Sequence, residues 1–362
     1  MIWHKPAARV GSLHMVEPKS RLIAGLVTFL AFSSAPCVFA QKQSPMKMPG
    51  HESGMHPGPT MMRTSFSPDA KLAVSRDPSE NLLKVRVGPV KLPAHADHTA
   101  LAQPRDSYLT IPFDGWLVAY HPKVVDASGA AVTAKVLHQV AFWNTGRSDF
   151  LCPNKEEHIF GAGTEMADWP AIPGVGYRVR SGDRVRISAI FANPSDMAFP
   201  EIYLDVQMEY RAASADTAPL KSVYPTWFDV EECRESGYDL EPGKSITAAR
   251  FTMKFPGALL GVGGHLQDYG RGILLEDVTL KSAIANLKAQ TDASGHLLNV
   301  PIVSFAETGG YRLEAGQVVR VAAAYDNPTG RYLPEGAMGI VVGYFLPDQE
   351  SAFSAFERRR SP

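Results

Sequence analysis

An internal echo limits the folds open to this chain. Residues 182–210 (GDRVRISAIFANPSDMAFPEIYLDVQMEY) align without a gap on residues 316–344 (GQVVRVAAAYDNPTGRYLPEGAMGIVVGY), an offset of 134. Identical pairs include Gly182/Gly316, Val185/Val319, Arg186/Arg320, Ala189/Ala323, Asn193/Asn327, Pro194/Pro328, Pro200/Pro334, Glu201/Glu335 and Tyr210/Tyr344. Conservative pairs such as Ile187/Val321 and Phe191/Tyr325 fill the positions between. The period is far longer than the roughly 20–50 residues of a solenoid unit. It reads as a duplicated domain, each copy ending in strand, Asn-Pro loop, Pro-Glu corner and strand.

The rest of the chain agrees with β structure. Short runs such as LLKVRVGPVKL, WLVAYHPKVV, RVRISAIFA, RGILLEDVTL and VVRVAAAY are rich in Val, Ile, Tyr and Phe. Each is bounded by Gly, Pro, Asp or Asn, the signature of strands between turns. Only 280–290 leaves a helix open as an alternative. The expected fold is all-β, two tandem jelly-roll-like antiparallel sandwiches at 80–212 and 224–348, with a linker at 213–223 and a solvated tail at 349–362. Charge is balanced at −1 with 20% charged residues. That argues against a nucleic-acid partner, which would draw clustered Lys and Arg.

Residues 1–40 read as a secretory signal. Leu22 to Phe32 is an apolar run too short to span a bilayer, preceded by Lys19 and Arg21 and followed by a small-residue site ending at Ala40. Cleavage after Ala40 implies a secreted or periplasmic protein with no integral membrane segment. Residues 41–79 read as a disordered leader, because 41–63 holds five Met, two His, four Pro and three Gly without apolar periodicity. Its His51, Met55 and His56 offer soft donors that suit Cu(I). Loss of the signal removes Cys37 and leaves Cys152 and Cys233, an even pair in an oxidising compartment. A disulfide between them is a candidate, subject to their Cα atoms coming within ~7 Å.

Several strings, in order, resemble the copper type II, ascorbate-dependent monooxygenase family, whose type member is the peptidylglycine α-hydroxylating enzyme. In the first half these are WLVAYHPKVV, KVLHQVAFW, HIFGAG and PGVGYRV; in the second, LLGVGGHLQ, GRGILL and EGAMGIVVGYF. FGAGTE, GGHLQDYG and GAMGIVVGYF are nearer to a branch named for stress-up-regulated nodulins. The resemblance implies two mononuclear coppers on facing surfaces of the two sandwiches. One would be held by three His and store electrons; the other, held by two His and a Met, would bind O2.

Carried over position by position, the ligands are incomplete. The family's adjacent His pair becomes His138-Gln139, and its third His falls at Phe191. In the second half His265 and Met338 match, while Gln267 stands where the second His belongs. On a strand, residues two apart share a face, so His265 and Gln267 could converge with Met338. Glu165 and Asp168, beside Trp169, read as a charged surface turn or as the lining of a cleft between the halves.

Three functions follow as alternatives. The first is an exported protein that binds copper or a small ligand without two-copper chemistry. The second is an active copper monooxygenase acting on a small substrate. The third is a structural or partner-binding secreted protein on the same scaffold.

Overall fold

Alternation of buried and exposed side chains sets the strands. In Phe199–Ala212, Ile202, Leu204, Val206, Met208 and Tyr210 point inward while Gln207 and Arg211 face solvent. In Val318–Asn327 the repeat does the same with Val319, Val321, Ala323 and Tyr325. A period of two with one apolar face is what a sandwich strand requires.

The computed structural model describes residues 66–165, 168–216 and 218–356. The expected signal peptide and the leader donors His51, Met55 and His56 lie outside the described residues. No α-helix occurs among the described residues, so none is long and apolar enough to cross a membrane.

The first half contains β1 (Lys71–Asp77), β2 (Leu82–Leu92), β3 (Ser107–Thr110), β4 (Gly115–Asp126) and β5 (Leu137–Ser148). It continues with β6 (Glu156–Gly163), β7 (Val175–Val179), β8 (Arg184–Phe191) and β9 (Phe199–Ala212). The second half begins with β10 (Lys221–Asp229), β11 (Tyr238–Leu240), β12 (Gly243–Thr252), β13 (Gly257–Leu266), β14 (Gly270–Asp277) and β15 (Ser282–Lys288). It ends with β16 (Gln290–Thr291), β17 (Leu297–Asn299), β18 (Val303–Ser304), β19 (Tyr311–Leu313), β20 (Val318–Asn327), β21 (Leu333–Ala337) and β22 (Gly339–Pro347). The ambiguous 280–290 stretch is therefore strand, as β15.

The duplication is visible as topology. In the first half the strands order as β2-β9-β4-β7 facing β3-β8-β5-β6. In the second they order as β10-β22-β13-β19 facing β12-β20-β14-β15. Chain order and spatial order repeat together, and eight strands in two four-stranded sheets make each half a jelly roll.

The Asn-Pro loops repeat atom for atom. Asn193 Nδ2 donates to the Met197 carbonyl at 2.7 Å, and Asn327 Nδ2 to the Arg331 carbonyl at 2.8 Å. The Ser195 and Thr329 hydroxyls donate to the respective Asn Oδ1 at 2.7 and 2.6 Å. Both Asn side chains are buried, so these bonds satisfy groups that would otherwise be costly to desolvate.

The halves are joined rather than strung on a linker. Residues expected as linker run into β10, which pairs in parallel with β7 through Lys221–Val175, Ser222–Gly176 and Val223–Tyr177. The two larger sheets thus merge edge to edge, and the described residues belong to one compact unit. β22 is buried on both faces. Ile340, Val342 and Tyr344 join the first core, while Val341 and Phe345 join the second. That double burial is why GAMGIVVGYF carries no charged side chain, and why its one hydroxyl, on Tyr344, donates to the Ile159 carbonyl at 3.2 Å.

Two further elements depart from expectation. β1 pairs with β2 along its whole length, inside the stretch expected as disordered leader. The tail folds back as a short turn, Glu350–Phe353, whose Phe353 is fully buried against Phe150, Tyr224 and Phe255. Cys152 and Cys233 form a disulfide with Cα atoms 5.4 Å apart. It joins the loop after β5 to the loop after β10, and so one half to the other.

Candidate functional site at the seam between the halves

The seam brings a second-half histidine against a first-half acid. His265 pairs across the ladder with Ile340, so both project from the same face of the second sandwich, the face that meets the first core. Met338 is buried in that same first-half cluster. The last ladder pair is Leu266–Gly339; Gln267 comes just after β13 and Met338 just before β22. The Tyr325 hydroxyl ties these two together. It donates to the Met338 carbonyl and accepts from the Met338 and Gln267 backbone N–H groups, at 2.5, 3.1 and 2.9 Å. Three residues expected as ligands therefore share one end of the β13–β22 ladder.

The first half supplies the opposite wall. Glu165, just past β6, is buried, and its Oε1 accepts a hydrogen bond from His265 Nδ1. Gly163 makes room for that carboxylate: a Cβ there would lie 2.7 Å from Glu165 Oε2 and 3.0 Å from the His138 carbonyl. The Glu165 backbone carbonyl accepts from Val300 N–H of the second half at 3.4 Å. Burial alone would push the His265 imidazolium down. The charge and hydrogen bond of Glu165, helped by Asp229, outweigh it and hold the group above its usual range.

His138 sits where the register slips. Leu137 pairs with Phe191 and Gln139 with Ile190, so His138 is the extra residue of a bulge, a device that re-aims a side chain. Its ring stacks on that of His98, centroids 4.3 Å apart and planes 6° from parallel. Burial, then electrostatic repulsion from the neighbouring His98 and His265, hold His138 down to about 3, against a smaller pull from Asp97. At neutral pH its imidazole is uncharged and keeps one nitrogen lone pair.

The residues fit the family's copper sites unequally. Phe191, at the third ligand position of the three-His site, is fully buried in the first core, and Gln139 offers an amide in place of imidazole. That site does not fit copper. The second-half donor set fits better. His265 has Nδ1 engaged by a carboxylate and Nε2 left over, the arrangement that orients metal-binding imidazoles, and Met338 brings a soft thioether. Among the described residues no three His, Cys, Asp or Glu side chains form a metal cage by themselves, so any site here depends on the thioether.

The remaining histidines among the described residues are paired locally. His121 lies between Asp168 at 2.5 Å and Glu209 at 3.0 Å. His296 bonds Asp268 at 2.8 Å, and His95 bonds Asp196 at 2.8 Å. His158 is sandwiched by Trp143 and Trp227 and held down to about 3 by burial, then by Lys155 and Arg186. Of the two acids read as a possible turn, Asp168 is exposed and Glu165 is not.

Sequence reasoning missed His98 and underrated Glu165. The Gly-Ala-Gly-Thr-Glu run held the one usable signal, since a glycine two residues before an acid leaves space for its carboxylate. Nothing in HADH marks His98 as the partner of a residue 40 positions later.

No family model and no curated protein matches the chain. Among solved structures, the major capsid protein P2 from Bacteriophage PM2 aligns at 10% identity and a TM-score of 0.32, covering 73% of this chain and 98% of that one. PNGase F, a glycosylasparaginase from Flavobacterium meningosepticum, aligns at 10% identity and a TM-score of 0.35, covering 74% and 97%. Likenesses this remote carry no functional argument, and the jelly-roll assignment stands on the strand order above.

Proposed function

We propose that this is an exported protein that binds a single copper ion at the seam and does not run the two-copper reaction. The donors would be His265 and Met338 of the second half, joined by neutral His138 of the first half. Gln267 contributes a hard carbonyl oxygen, a poor donor for Cu(I). The observation that carries the reading is the buried His265, whose Nδ1 is engaged by Glu165 while Met338 lies on the same seam-facing surface. Copper bound there would supply a soft one-electron centre. The protein's own part is to orient the imidazole, to exclude water with the apolar wall around Met338, and to keep His138 uncharged.

The test is copper stoichiometry on the mature full-length chain, by elemental analysis and competition with a Cu(I) chelator. One equivalent is expected to persist when the Met and His residues of 41–63 are replaced, and to be lost in Met338→Leu. No ascorbate-driven oxygen uptake is expected, because the electron-storage site lacks its donors. Copper that follows the leader instead of Met338, or a wild type that takes up none, would sink the proposal and leave the scaffold reading.

A further inference from the structure

We infer that Glu165 is a positioning residue for the seam site, contributed by the half opposite the ligand it orients. The inference rests on the copper reading above and deepens it. His265 belongs to β13 of the second jelly roll; Glu165 follows β6 of the first. Their hydrogen bond crosses the seam in a place where both side chains are nearly free of solvent.

Three features make this more than a chance pair. Gly163 leaves the volume that the carboxylate fills, so the backbone two residues upstream is shaped to it. The Glu165 carbonyl accepts from Val300 N–H, which anchors the same residue to the second half through its main chain. Nδ1 of His265 is the nitrogen taken, so a metal can be met only through Nε2. A carboxylate on the remote imidazole nitrogen sets the ring plane and raises ligand basicity, and its loss typically costs about 10–100-fold in metal affinity. Because ligand and orienting acid come from different halves, copper affinity would also report how the two jelly rolls are seated. A shift at the seam would swing the ring before it touched any ligand.

The experiment compares wild type, Glu165→Gln and Glu165→Leu as full mature chains. Glu165→Gln keeps shape and one acceptor, so the copper-free protein should hold its near-ultraviolet circular dichroism, with its thermal midpoint lowered by the lost charge of the buried pair. Copper affinity should fall in the order wild type, Gln, Leu, with a total loss of about 10–100-fold. Pulsed electron paramagnetic resonance of the Cu(II) form reads the remote imidazole nitrogen directly, and its quadrupole splitting should change in Glu165→Gln. A merely structural role would leave that signal unmoved. If wild type binds copper through Met338 while both variants match it in affinity and remote-nitrogen signal, the inference fails and the copper reading survives. If wild type binds no copper, or binds it undiminished in His265→Ala, both fail together.

Discussion

Replacing Cys152 and Cys233 together by alanine removes a covalent tie between the halves, and its cost can be worked from the structure. The bond closes a loop with a sequence separation of 81. In the chain-entropy model a loop of that size is worth about 4.5 kcal/mol at room temperature. Two details adjust the figure. Cys152 is buried in the second core, so the truncation also trims a packed side chain. Against that, the loop carrying Cys152 is held by other contacts: Phe150 stacks on Phe345, and Asp149 Oδ1 accepts the Leu151 and Cys152 N–H groups, each at 2.8 Å. These limit how far the freed loop can drift in the folded state, but they leave the unfolded chain unconstrained. The double variant should therefore lose about 3–5 kcal/mol. Urea unfolding followed by tryptophan fluorescence measures it, with wild type under reducing conditions as a second route to the same state. The urea slope should rise as well, since the uncrosslinked unfolded chain exposes more surface. A loss below about 1 kcal/mol by both routes would refute the reasoning. It would mean that the halves unfold separately, or that the unfolded chain stays compact without the bond.

Acid should weaken the fold through its buried histidines. His138 and His158 are held down to about 3, against an ordinary value near 6.5 in the unfolded chain. Their contribution is fully present above about pH 6.5 and is lost as pH falls toward 3, at about 1.4 kcal/mol per unit for each. Burial lifts Asp149 to about 6, which works the other way, adding stability as pH falls from 6 toward 4. His158→Phe keeps the stack between Trp143 and Trp227, so it should flatten the acid limb by one proton; urea midpoints between pH 4 and 6.5 would show this, and an unchanged slope would count against it. Separately, Gln139→His should not create a tight copper site in the first half, because Phe191 still offers no donor. Tight binding in a calorimetric titration of that single variant would show that the ligand register is wrong.

The 134-residue echo was enough to determine that this chain is a doubled all-β protein. Its Asn-Pro loops, Pro-Glu corners and period-two strands are local, and local patterns survive in one dimension. The family-like strings GGHLQ and EGAMGIVVGYF, not the echo, singled out His265, Gln267 and Met338 as candidates. Tertiary structure decided everything that depends on which faces meet. No periodicity distinguishes a strand buried on two faces from one buried on a single face within a long core, so the merged sheet and the double burial of β22 were illegible. Lys71–Asp77 is mostly exposed along a sheet edge, so it buries no apolar face that would set it apart from a leader in the sequence. Glu165 looked like a surface acid because nothing adjacent to it in sequence neutralises it; its partner is 100 residues away on the other half. His98 and His138 likewise meet through a bulge, which a sequence does not announce. Short-range chemistry writes the strands, whereas long-range packing across the seam chooses which of their side chains end up together.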